Sequence, residues 1–60
     1  MKIYKLENFE YWYDPHNRSW WAMQVDKATG YQVGDALNAY TKQEIIFHVK
    51  QEIKNSKDTT

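Results

Sequence analysis

The sixty-residue chain contains no cysteine, so neither a disulfide framework nor a thiolate zinc site can stabilise it. It also lacks an excess of charge, because eight basic residues balance eight acidic ones, and Arg18 is the only arginine. This balance argues against a phosphate-binding surface across the domain and against an acidic mimic of nucleic acid. Without a disulfide or a thiolate zinc site, the stability of the fold must come from packing or from a partner.

Long apolar runs are missing as well. The N-terminal residues lack the apolar segment of a signal peptide, and no stretch approaches the roughly 20 apolar residues of a membrane span. We therefore expect a soluble, cytoplasmic protein with no membrane partner. The length predicts one domain, residues 1–54, with a thin core and a frayed polar tail at residues 55–60.

Groups that carry out catalysis are scarce. His16 and His48 lie far apart in the sequence without the spacing of a metal site, and Ser19 has no nucleophile-elbow context. Asp14, which lies beside His16 and close to Arg18, is typical of a turn-forming side chain. We expect no enzyme activity, no cofactor and no metal.

Aromatic residues are abundant, and five of them surround one turn in residues 11–21, YWYDPHNRSWW. Alternation of apolar and polar residues predicts strands at residues 9–14, 19–25 and 31–37. Gly30 suits a left-handed residue in the second hairpin loop. Residues 1–6 favour an additional edge strand whose pairing the sequence leaves open.

Pairing Tyr13 with Ser19 and Val25 with Tyr31 predicts which side chains share a face of the sheet. One face would then be apolar and form the core, with Phe9, Tyr11, Tyr13, Trp21, Met23, Val25, Tyr31 and Val33. Asp35 interrupts this face and marks either a bulge or the end of the strand. The other face would carry Glu10, Trp12, Trp20, Ala22, Gln24, Gln32, Gly34 and Ala36, with Trp12 opposite Trp20.

A helix is predicted from Lys42 to about Lys54, with a capping box formed by Thr41 and Glu44. Its apolar stripe consists of Ile45, Ile46, Val49 and Ile53. Phe47 lies off that stripe. The expected fold class is therefore α+β, an antiparallel meander of three or four strands with one C-terminal helix packed on one face.

Two tryptophans, Trp12 and Trp20, remain outside the predicted core. As an exposed pair they would anchor a protein partner, with Arg18 and His16 at the rim and with Gln24 and Phe47 as further contacts. The alternative is structural: the pair would simply stabilise the hairpin, and Phe47 would pack against the N-terminal segment.

The order of strands, the D-K-A-T-G hairpin and the T-x-x-E helix over residues 9–54 resembles AP2-like and integrase arm-type DNA-binding modules. This resemblance implies a sheet laid in the major groove, with DNA contacts from Trp12, Arg18, Trp20, Gln24 and Lys27. Phosphate contacts need an excess of positive charge, so the neutral chain makes nucleic acid the less favoured partner.

Three binding functions follow from these observations. The first is docking on a protein partner, in the manner of the small phage or mobile-element accessory and inhibitor proteins that the chain resembles in type. The second is DNA binding by the sheet face. The third is homodimerisation, which would cover an edge strand and enlarge the core.

Overall fold

The computed structural model describes residues 2–58 and has the α+β architecture that the sequence predicts. Four strands, β1 (Ile3–Leu6), β2 (Phe9–Asp14), β3 (Ser19–Val25) and β4 (Gln32–Ala39), form one antiparallel sheet in the order of the chain. The helix α1 (Lys42–Asp58) packs on β2, β3 and β4.

The first strand resolves the pairing that the sequence left open. β1 lies at one edge of the sheet and pairs with β2, with Leu6 opposite Phe9 and Ile3 opposite Trp12. A two-residue turn joins these strands, and its first residue, Glu7, has a positive φ of 54°. Met1, which the predicted edge strand included, lies outside the described residues.

The register of the β2–β3 hairpin differs from the prediction by one residue. Asp14 belongs to the strand and pairs with Ser19, so Tyr13 lies opposite Trp20 rather than Ser19. A four-residue turn remains, in which Arg18 has a positive φ of 50°. The Asp14 carboxylate accepts hydrogen bonds from the backbone N–H of His16 (2.9 Å) and the side-chain amide of Asn17 (2.7 Å).

This shift exchanges the two faces of β3, as a one-residue slip must. Trp20 and Ala22 lie on the helix side with Tyr11, whereas Trp21 and Met23 lie on the other side with Trp12. The predicted core positions of Trp21, Met23 and Val25 are therefore wrong. Packing gives the reason: Ala22 is completely buried beneath the helix, and a small side chain lets a helix approach a sheet closely.

The pairing of β3 with β4 contains the irregularity that Asp35 suggested. Val25 pairs with Gln32, not with Tyr31 as predicted, and the register shifts between Ala22 and Gln24. Gly34 takes a positive φ of 72° in this bulge, which suits a residue without a Cβ. Tyr31 precedes the strand and is 75% exposed, so its predicted place in the core is also wrong.

The helix begins as the capping box predicts. The backbone N–H of Glu44 donates to Oγ1 of Thr41 at 3.1 Å, which satisfies one of the free N–H groups of the first turn. Ile45 and Val49 are fully buried against the sheet, and Ile46 and Ile53 flank them. The helix continues to Asp58, four residues beyond its predicted end near Lys54, and thus includes most of the predicted tail. Residues 59–60 of that tail lie outside the described part.

Candidate binding face

One face of the sheet has no second layer among residues 2–58. The helix covers the side that carries Phe9, Tyr11, Ala22 and Ala39. Directly paired residues of antiparallel strands share a face, so the register defines the opposite side. We call this side the open face; its side chains are Ile3, Lys5, Glu10, Trp12, Asp14, Ser19, Trp21, Met23, Val25, Gln32 and Asn38.

A pair of tryptophans occupies the centre of the open face. Trp12 and Trp21 are direct cross-strand partners on the two central strands. Ile3 continues the same row beyond Trp12 and is 50% exposed, and Met23 lies in the next row. Trp12, Trp21 and Met23 are partly buried even without a covering layer. The open face therefore has two large aromatic side chains at its centre and a mixture of apolar and polar side chains around them.

The indole N–H of Trp21 is enclosed and has no hydrogen-bond acceptor among the described residues. An enclosed donor without an acceptor costs about 1–3 kcal/mol, because its hydration is not replaced. Trp21 thus contributes apolar surface to the open face but offers no accessible donor there.

Charge on the open face is sparse. Lys5 and Glu10 occupy paired positions on β1 and β2, so one positive and one negative group lie side by side. Asp14 lies on the same side at the end of β2. The side-chain hydrogen bond from Asn17, followed by the backbone N–H of His16, lowers the pKa of the Asp14 carboxyl, and desolvation opposes this shift. That carboxylate therefore stabilises the turn.

The predicted Trp12–Trp20 pair is wrong, because these residues lie on opposite faces of the sheet. Trp20 packs beside the helix in a cluster of rings, with its centroid 5.6 Å from that of Tyr13 and 6.1 Å from that of Tyr4. Tyr4 in turn stacks on Tyr11 at 5.2 Å. The ammonium group of Lys42 lies 4.4 Å from the centre of the Tyr4 ring, at a distance typical of a cation–π contact.

The other predicted contact residues are dispersed. His16 and Arg18 are exposed in the β2–β3 turn, at one end of the sheet. Gln24 lies on the helix side, opposite Phe9. Phe47 is 58% exposed on the helix, where its nearest ring is that of His48 at 5.9 Å. These four residues and Trp12 therefore do not form one continuous surface.

Sequence reasoning missed Trp21, Met23 and Ile3 as members of the open face. Ala22 could have indicated the correct faces. It has the smallest side chain in its strand, and a small side chain lets the helix pack closely against that side of the sheet. Placing Ala22 under the helix would have put Trp20 beside it and Trp21 opposite.

Two clefts lined by the described residues are both small. One, of about 200 Å³, lies between the β4 bulge and the helix and is lined by Phe9, Gln24, Gly34, Asp35, Leu37 and Glu52. The other, of about 150 Å³, is lined by Lys5, Glu7, Asn8, Phe9, Glu10, Val25 and Lys27. Pockets for small molecules usually measure about 300–1,000 Å³. The tryptophan pair of the open face, which lines neither cleft, is thus the better candidate for binding.

Residues 2–56 contain no group of three or more His, Asp or Glu side chains that could hold a metal ion. The helix is not long and apolar enough to cross a membrane, and it is the one helix in the described part of the chain.

Comparison of the sequence with protein-family models and curated proteins, and of the fold with solved structures, finds no match.

Proposed function

We propose that this chain is a small binding module that docks on a protein through its open face. The observation that carries the proposal is the Trp12–Trp21 pair at the centre of a sheet face without a second layer. Tryptophan is enriched among the residues that contribute most to protein interfaces, especially near their centres. Uncovered apolar patches on small domains also mark interaction sites.

The balance of charge supports a protein rather than a nucleic acid as the partner. Lys5 and Glu10 offset each other on the open face, and the whole chain is neutral. DNA binding draws much of its affinity from lysine and arginine contacts to phosphates. The DNA-binding alternative has less support for a second reason, since Trp20 and Gln24 lie on the helix side, away from Trp12.

Binding without catalysis is the mode of action that we infer. His16 lies in the β2–β3 turn and His48 on the exposed side of the helix, so neither faces the tryptophan pair. Such a module acts stoichiometrically, by covering part of its partner's surface. Small accessory and inhibitor proteins of phages and mobile elements, which the chain resembles in type, act in this way.

Affinity capture with three forms of the full chain tests the proposal. The bait is the wild type, Trp12→Ala or Phe47→Ala, and circular dichroism verifies that each form is folded. Loss of a central anchor costs about 2 kcal/mol or more, which corresponds to roughly 30-fold weaker binding. Trp12→Ala should therefore lose the captured protein.

Phe47→Ala is the matched control, because it removes an exposed aromatic side chain from the helix rather than from the open face. It should retain the captured protein. Retention by Trp12→Ala, or loss by Phe47→Ala alone, would contradict docking through the open face.

A further inference from the structure

We propose that the cleft between β4 and the helix binds the side chain of a lysine that a protein partner presents. This cleft, of about 200 Å³, lies on the helix side of the sheet, so it is a second binding site separate from the open face. The proposal therefore goes beyond docking through the tryptophan pair. Its support comes from the origin of the cleft, its charge and its apolar floor.

The cleft lies beside the bulge of β4. Three residues of β4, 34–36, stand opposite a single residue of β3 between the pairs that flank the register shift. The positive φ of Gly34, 72°, lets the backbone turn at this point. Bulges commonly redirect a side chain, and the next residue, Asp35, lines the cleft.

Two carboxylates line the cleft from different elements, Asp35 from β4 and Glu52 from the helix. The lining contains no positively charged side chain. Neither carboxylate has a hydrogen-bond or ion-pair partner among residues 2–58. A cleft whose charges have one sign, between walls of low dielectric constant, concentrates the electric field and attracts ions of the opposite sign. The ligand that suits this cleft is therefore a cation.

The floor of the cleft favours a cation that ends an aliphatic chain. Phe9, which is buried, and Leu37, which is partly buried, supply apolar surface beside the two carboxylates. Lysine places its ammonium group on a flexible four-carbon stem, and such stems lie along apolar surface while the charged end reaches polar groups. A calcium ion would need six or more oxygen ligands, which two carboxylates and one side-chain amide do not provide.

The acceptors of the cleft match the donors of an ammonium group. Asp35, Glu52 and the side-chain amide of Gln24 line the cleft from β4, the helix and β3, and an ammonium group has three N–H donors. Arginine instead donates within one plane and pairs best with a single carboxylate. The volume equals the space of roughly seven water molecules, so the cleft has room for one lysine side chain but not for a typical small-molecule ligand.

A nuclear magnetic resonance titration of the full chain with the peptide acetyl-Gly-Lys-Gly-amide tests the proposal. The backbone amide signals of Gly34 and Asp35 and the methyl signals of Leu37 should shift and saturate. A dissociation constant on the order of 1 mM is expected, because one side chain supplies little contact area. The same peptide with norleucine in place of lysine keeps the apolar stem without the ammonium group, and it should bind at least about tenfold more weakly.

Asp35→Asn and Glu52→Gln each remove one negative charge at an exposed position, so the fold should tolerate them. Each should weaken binding of the lysine peptide at least about threefold, and the double variant should weaken it about tenfold. The matched control is Glu10→Gln, which makes the same change of charge on the open face and should bind like the wild type. Circular dichroism verifies that each variant is folded.

Three results would overturn the proposal: no saturable shift up to about 20 mM peptide, equal binding of the norleucine peptide, or equal weakening by Glu10→Gln and Glu52→Gln. A fourth measurement uses n-butylamine, which has the stem and the ammonium group without a peptide backbone. Tighter binding of this amine than of the lysine peptide would assign the cleft to free amines and overturn the protein partner. None of these results depends on Trp12, so the capture experiment tests docking through the open face separately.

Discussion

A disulfide introduced across the central hairpin should form readily and stabilise the fold. The chain has no cysteine, so Glu10→Cys and Met23→Cys would supply the only two thiols. These residues are direct cross-strand partners on the open face. Partners of this type have Cα atoms about 4.5–5.5 Å apart, within the range of about 4.4–6.8 Å that a disulfide spans.

The expected gain in stability follows from the length of the closed loop. The bond would close a loop of roughly 14 residues, and the loss of unfolded-state entropy for such a loop is worth about 3 kcal/mol. Urea unfolding of the oxidised and reduced forms gives the difference in the free energy of unfolding. Mass spectrometry of the dilute, non-reduced protein shows whether the bond lies within one chain.

The control pair is Glu10→Cys with Gln24→Cys. Gln24 is adjacent to Met23 but lies on the opposite face, so its thiol would point away from that at position 10. This pair should stay reduced under the same mild oxidation. Efficient bonding in the control pair, without bonding in the first pair, would refute the register and with it the composition of the open face.

Three further predictions concern stability and use urea unfolding followed by circular dichroism. Ile45→Ala should lower the free energy of unfolding by about 2–5 kcal/mol, because it leaves a cavity in the buried core; a loss no larger than that of Phe47→Ala would contradict this packing. Thr41→Ala should cost about 0.5–2 kcal/mol through the lost helix cap, and Thr41→Ser should restore most of it. The lowered pKa of Asp14, due first to the Asn17 side chain, means that its stabilisation is complete above the ordinary value of 3.8 and is lost as the pH falls through the lower folded value. Asp14→Asn should make the free energy of unfolding fall less steeply at acid pH. An unchanged pH dependence would contradict the hydrogen-bonded turn.

The strands and the helix could be predicted because their signals are local. Alternation of side chains identified β2 and β3, and Thr41 with Glu44 marked the start of the helix, where the capping hydrogen bond is found. Those signals depend on near neighbours in the chain, and here the local preferences agree with the final fold.

The register was predicted wrongly because two adjacent tryptophans make both alternatives plausible. A slip by one residue simply exchanges Trp20 for Trp21 on the apolar side, and each register gives a face rich in aromatic residues. Two facts outside the local pattern decide between them. Asp14 pairs within the strand while its carboxylate closes the turn, and Ala22 makes room for the helix.

The helix extends past its predicted end near Lys54. Residues 55–58 are polar, which suggested a tail, but they contain no residue that ends a helix. The chain has one proline, in the β2–β3 turn, and neither of its two glycines follows the helix. Helices commonly end at such residues, and without them the boundary stays open.

The central claim is that Ile3, Trp12, Trp21 and Met23 share a face that the helix leaves uncovered. Nuclear magnetic resonance with a soluble paramagnetic agent tests it most directly, by comparing methyl groups on the two sides of one strand. In dilute protein, the agent should broaden the Ile3 and Met23 methyl signals and spare those of Ala22 and Val49, which are fully buried. Equal protection of Met23 and Ala22 in dilute protein, or broadening of Ala22, would contradict the account.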